Sequence, residues 1–204
     1  MANPSSASKY QLFTITKNNK TFPLQSKVVR FDYYESLLSP NITATMIFVD
    51  SGLVEKGDEL VKYGKEYDKQ ERPGTLYNAL PIVGDGSEEI KFKVSSALGT
   101  LDFSKTPLYV NGASNPDQSS TRESVILNLV SKSAIINQET FVKKNYSKST
   151  NNTQSVKLIT KNILKIDKLI ADDTSNKYPF IGNNKSPFDV ICTLASKSAP
   201  ENGN

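Results

Sequence analysis

Residues 10 to 130 carry repeated two-residue alternation of apolar and polar positions. Val29, Phe31 and Tyr33 alternate with Arg30, Asp32 and Tyr34; after the turn residues Ser39-Pro40-Asn41, the run Ile42 to Val49 sets Ala44, Met46 and Phe48 against Thr43, Thr45, Ile47 and Val49. Successive strand side chains point to opposite faces, so two such runs joined by a turn predict an antiparallel hairpin. Residues 89 to 95 alternate more cleanly, with Ile90, Phe92 and Val94 inward and Glu89, Lys91, Lys93 and Ser95 outward. That is the pattern of a sheet with one wet face. A further strand is predicted over Glu123 to Val130, where Val125, Leu127 and Leu129 share a face, with shorter candidates at Gln11 to Thr16 and Leu108 to Asn111.

The alternation breaks over residues 50–74. Asp50 to Arg72 holds seven acidic and five basic residues, and Pro73-Gly74 ends it. Leu53, Val54, Leu60 and Val61 recur at heptad spacing, so a short helix is one reading, although Gly57 and Gly64 weaken it. Mixed charge with few apolar anchors favours the plainer one, a solvated excursion from the sheet.

Beyond residue 131 the period changes. Ala134 to Asn145 suits a short helix, and Ser147 to Gln154 is a polar linker with no apolar residue. Val156, Ile159, Ile163, Ile166 and Ile170 then recur at spacings of three and four, placing them on one helical stripe, while Lys157, Lys161, Lys165 and Lys168 form another. A last helix start is written at Ser186: an N-cap, Pro187 at the first helical position, Asp189 able to return a carboxylate to the cap, and Phe188, Ile191 and Leu194 on one face. Strands followed by helices predict an α+β chain: an antiparallel β-barrel or sandwich, then a small helical region.

Charge and chemistry narrow the function. The 204 residues carry 25 basic and 21 acidic side chains, a net charge of +4. That is milder than the dense basic patch of a nucleic-acid binder. There is no histidine and one cysteine, Cys192. Histidine-dependent triads, imidazole acid–base work and zinc sites are thereby removed, and with them the commonest enzyme designs. No cofactor, metal or catalytic residue is assigned. Adjacent acids occur at Glu88-Glu89 and Asp172-Asp173, but neighbours in a strand face opposite ways, and a carboxylate hydrolase pairing Glu88 with Asp102 is the least favoured reading. Gly182-Asn183-Asn184-Lys185-Ser186 looks like the end of a phosphate loop but has Asn184 where glycine is required before the lysine, so a capped helix start explains it more simply. No apolar run approaches the ~18 residues of a membrane span, and Met1 to Ser8 lacks the apolar core of a signal peptide. A cytosolic origin is expected.

Lys143 to Lys168 holds seven lysines and a single acid, Asp167. A polyanion, nucleic acid included, would suit this segment, and salt-dependent binding is its test. The alternative is that lysines solvate the outer face of an amphipathic helix, since no aromatics or arginines interleave.

Taken in order, Phe31 to Met46, Leu80-Pro81-Ile82-Val83-Gly84 before a charged alternating strand, the amphipathic helix, and Ser186-Pro187-Phe188-Asp189-Val190-Ile191 resemble the baseplate central hub protein of T-even-like contractile-tailed phages, with the closest members in marine phages. The resemblance runs from about Tyr10 to Ala199 and rests on the order of elements, with no catalytic signature. It implies a non-enzymatic structural virion protein, assembled in the host cytoplasm, whose tail-tube-like barrel occurs twice per chain. Three such chains form a pseudo-sixfold ring that adapts the hexameric tail tube to the trimeric central spike. Carried over, it implies a flexible N-terminus at residues 1–9, a tube-like barrel at 10–134 with the charged insertion 50–74, and the start of a helical middle domain at 135–204. A second barrel is expected after the helical region, which a split gene and a second polypeptide would supply unless the chain is truncated. Implied partners are other hub chains, the tube protein and the spike protein, with no membrane insertion and no specific nucleic acid. Asp32, Tyr33, Tyr34 and Glu35 on the hairpin are candidate interface residues, and so are Phe188, Ile191 and Leu194, which a partner polypeptide is expected to cover.

Overall fold

A computed structural model describes residues 8–37, 39–50, 82–97, 99–118, 123–143, 145–146 and 150–201. The chain divides into two units, residues 1–132 and 133–204.

Eight strands build the first unit: β1 (Lys9–Lys17), β2 (Lys20–Pro23), β3 (Val28–Tyr34), β4 (Thr43–Asp50), β5 (Glu89–Ser96), β6 (Gly99–Asp102), β7 (Leu108–Gln118) and β8 (Glu123–Val130). They pair in the order β2-β1-β5-β7-β8-β4-β3, with β6 added to β5, and every pairing is antiparallel. The period-two pattern is the cause. Phe13, Ile15, Met46, Phe48, Ile90, Phe92, Val125 and Leu127 are fully buried, while their strand neighbours remain partly solvated. Each such side chain contributes about 1.5–3 kcal/mol by leaving water, and together they hold the sheet.

Two strands have no counterpart in the alternation of the sequence. Asn18 and Asn19, at φ 50° and 62°, form the two-residue turn that folds β2 onto β1, with Lys17 opposite Lys20. The short β6 presents only exposed residues, so it leaves no hydrophobic trace.

The expected α+β class with an antiparallel sheet holds, and of the two forms left open, barrel or sandwich, the sheet is not closed into a barrel among the described residues. Among the described residues β3 pairs only with β4, and no ladder joins it back to β2 or β1. Side chains bridge the seam instead. The Phe13 ring on β1 lies 5.2 Å from Phe31 on β3, Phe31 lies 4.6 Å from Phe92, and Phe92 stacks at 4.7 Å on Phe103. Strands at nearly opposite ends of the pairing order therefore touch, and the open sheet is rolled around one aromatic cluster. Of the charged insertion 50–74 only Asp50 lies within the described residues, as the last residue of β4; the heptad-spaced Leu53, Val54, Leu60 and Val61 all fall outside them.

The second unit contains α2 (Asn152–Asn162), α3 (Pro187–Ser196) and the small ribbon of β9 (Asn145–Tyr146) with β10 (Phe180–Ile181); α1 (Lys132–Glu139) leads into it. Val142, Ile159, Val190 and Leu194 form its core with Tyr146 and Phe180. The helix expected to run through Ile170 stops at Asn162, because Lys165 adopts a left-handed φ of 57° and the Leu164 and Ile166 amides donate back to the Ile159 and Thr160 carbonyls. Neither Gly nor Pro marks this stop, and Ile170 ends 86% exposed. At the other end the polar linker is itself the helix start: Asn151 caps α2 by accepting from the Gln154 amide at 2.8 Å. Asn152 is buried and ties the two helices together. Its Nδ2 donates to the Lys197 carbonyl and Ser198 Oγ, both at 3.3 Å, while its Oδ1 accepts the Tyr178 amide at 3.0 Å.

Candidate assembly surfaces

The β3–β4 hairpin owes its geometry to register. Phe31 and Tyr33 lie opposite Met46 and Ala44 and face the core, which sends Asp32 and Tyr34, opposite Thr45 and Thr43, to the outer face. A bulge between Val28 and Arg30 turns Val29 outward, where it is 64% exposed. Arg30 Nε binds Asp32 Oδ2 at 2.7 Å on that outer face.

The four hairpin candidates therefore do not form one patch. Tyr34 is 55% exposed, Glu35 is exposed at the strand end, and Asp32 is held by Arg30. Tyr33 lies beneath, its ring 5.7 Å from Phe103 and its hydroxyl donating to Glu35 Oε2 at 3.0 Å. Burial, with help from the hydrogen bond and the charge of Glu35, pushes the Tyr33 phenol up to about 12. Sequence reasoning passed over Val29 and Leu37, two exposed apolar residues at the same edge. An edge strand that offers backbone groups and apolar side chains on one border is a template for pairing.

The second candidate surface is occupied by the chain itself. Leu194 is fully buried and Ile191 packs against the same core of Val142, Ile159 and Phe180, while Phe188 is 9% exposed. No partner polypeptide is needed to cover this face. The predicted cap is present: Ser186 Oγ accepts the Asp189 amide at 3.3 Å and bonds Asp189 Oδ2 at 2.7 Å. The phosphate-loop lookalike is a tight turn, with Asn183 and Asn184 at φ 46° and 56° and the Lys185 amide donating to the Gly182 carbonyl.

The lysine stripe is not assembled on one helix. Lys157 and Lys161 are on α2, Lys165 and Lys168 lie past its end, and Lys157 meets Asp173 at 3.4 Å. The Glu88 and Asp102 pairing also fails. Glu88 is fully buried and bound by Lys17 at 2.8 Å, whereas Asp102 is on β6, bound by Lys93 at 3.0 Å and Ser104 at 2.6 Å. Ser104 and Lys93 hold the Asp102 carboxyl down at about 2. Glu88 and Lys93 are five residues apart in sequence, on the order of 16 Å along an extended chain, so the two carboxylates serve different ends of β5. Among the described residues no group of three or more Cys, Asp or Glu is placed to hold a metal ion, and no helix is long and apolar enough to cross a membrane.

No family model matches the sequence, and no curated protein does. Solved structures do match the fold. The 43 kDa tail protein of prophage MuSo2 from Shewanella oneidensis superposes with a TM-score of 0.52 at 10% identity, over 96% of this chain and 51% of that one. The tail protein from Neisseria meningitidis MC58 superposes with a TM-score of 0.50 at 9% identity, over 91% and 44%. The chain spans about half the length of the tail proteins it matches. This α+β chain thus shares its fold with parts of solved tail proteins.

Proposed function

We propose that this chain is a structural subunit of a phage tail and, within it, of the baseplate central hub that joins the tail tube to the central spike. The observation that carries the reading is the superposition of 96% of the chain on a prophage tail protein, and the order of elements seen in the sequence agrees with it. β3, which among the described residues pairs with β4 alone and has Val29, Tyr34, Glu35 and Leu37 exposed beside it, is the border through which neighbouring hub chains would associate. Strand-edge pairing needs no catalytic group, and the reading assigns none. The test is assembly: the purified chain, alone and mixed with the tube and spike proteins of its own phage, is sized by light scattering and imaged by electron microscopy. Rings or a defined oligomer are expected; a strict monomer under every mixture would overturn the reading.

A further inference from the structure

Among the described residues of the first unit four charged side chains are buried, Lys17, Asp50, Glu88 and Glu123, and two of them sit directly opposite each other. Asp50 and Glu123 are cross-strand partners at the end of the β4–β8 ladder, 1% and 4% exposed. Their inward neighbours Phe48 and Val125, also paired, are fully buried and floor the site. Partners in this register have Cβ atoms about 5 Å apart, so the carboxyl groups share one pocket. Lys27 enters it from the β2–β3 connection, with Nζ 2.7 Å from Asp50 Oδ1 and its side chain 18% exposed. Its backbone is fixed as well: the Lys27 amide donates to the Leu24 carbonyl at 2.9 Å, and its carbonyl accepts the Val49 amide at 2.9 Å.

We propose that Lys27 and Asp50 become joined by an amide bond that the chain forms on itself, with Glu123 carrying the proton. The inference stands on this cluster alone and is independent of the proposed tail role. A proton passing along the 2.7 Å hydrogen bond converts ammonium and carboxylate into amine and carboxylic acid, the reacting forms. Nζ then adds to Cγ, which lies within about 4 Å because a carbon–oxygen bond adds only ~1.2 Å to the observed contact. Glu123 takes the surplus proton from nitrogen and returns it to the departing oxygen of Asp50. One N–C bond forms, one C–O bond breaks and one water leaves. Glu123 is regenerated and no oxidant or nucleotide is consumed. Exclusion of bulk water by Phe48 and Val125 favours condensation over the reverse reaction.

The other buried pair supplies an internal comparison. Lys17 and Glu88 are as close, at 2.8 Å, but Glu88 precedes β5 and has no carboxylate opposite it in a ladder, so it remains an ion pair. Mass spectrometry of the denatured, full chain after prolonged incubation at neutral pH decides the matter. The expected result is a mass one water below that of the sequence, with a branched peptide joining Lys27 to Asp50 and no tryptic cleavage after Lys27. Lys27→Arg and Asp50→Ala abolish the loss, and Glu123→Gln slows it at least a hundredfold with the fold retained by circular dichroism. An undiminished mass overturns the proposal outright. So does a water loss mapped to one linear peptide or to another lysine, and linkage at the normal rate in Glu123→Gln removes the part given to Glu123.

Discussion

The Lys17 ammonium lies 2.8 Å from Glu88 Oε1, joining the last residue of β1 to the residue that precedes β5. The same oxygen accepts the Val83 amide at 2.8 Å, and the Glu88 carbonyl accepts the Val110 amide at 3.0 Å. Lys17→Met would leave a buried carboxylate with, among the described residues, one hydrogen bond and no counter-charge. A loss of about 3–5 kcal/mol is expected, and the double variant Lys17→Met/Glu88→Leu should recover most of it, because two desolvated charges vanish together. Urea unfolding followed by circular dichroism measures both.

Tyr33 supplies a pH dependence with a definite sign. Its phenol ionises near 10.0 in a free chain and about 12 in the fold, where burial comes first and Glu35 second among the causes. Between those values the unfolded chain has lost a proton that the folded chain keeps, so this contribution to stability is complete below pH 10.0 and is lost as pH rises towards about 12. Ultraviolet titration should show several late tyrosines, since burial also raises Tyr109 and Tyr146; Tyr33→Phe should remove one of them, and Glu35→Gln should move that one part of the way back towards the ordinary value.

The exposed bulge residue Val29 separates assembly from folding. Val29→Lys places a charge on the open border of β3 without touching the core, so stability should change by no more than about 0.5 kcal/mol. The oligomer expected in light scattering should weaken sharply. Unchanged assembly would remove β3 from the interface.

In the second unit, Gly182 permits a close approach. A Cβ there would collide with the carbonyl of Val142, whose amide is held by the Lys185 carbonyl. Gly182→Ala should therefore cost about 1–3 kcal/mol, as overpacking does. Hydrogen exchange should show the loss in Val142, Tyr146 and Phe180, with β1 and β5 protected as before.

The sheet was legible because parity is a strong signal. β4, β5 and β8 occupy nearly the residues that alternation marks, and their inward sets are the buried ones. Parity also held information that hydrophobicity hides. Lys17 follows Phe13 and Ile15, Asp50 follows Met46 and Phe48, Glu88 precedes Ile90 and Phe92, and Glu123 precedes Val125 and Leu127, so all four share the inward phase. Their type suggested surface, and their phase was correct. The end of α2 was not legible, because it depends on a lysine in a left-handed conformation and the isoleucine spacing runs on past it. The burial of Ile191 and Leu194 was hidden for a different reason: their cover comes from Val142, Ile159 and Phe180, supplied by segments distant in sequence.

Phe13, Phe31, Phe92 and Phe103 meet across a seam that no strand ladder crosses among the described residues. A ladder fixes circumference in whole steps of strand spacing, whereas ring pairs pack edge-to-face or offset-stacked at centroid distances of about 4.5–7 Å. The girth of the sheet at this border is consequently set by the size and tilt of four phenylalanine rings, packed 4.6 to 5.2 Å apart, and not by a whole number of strand spacings.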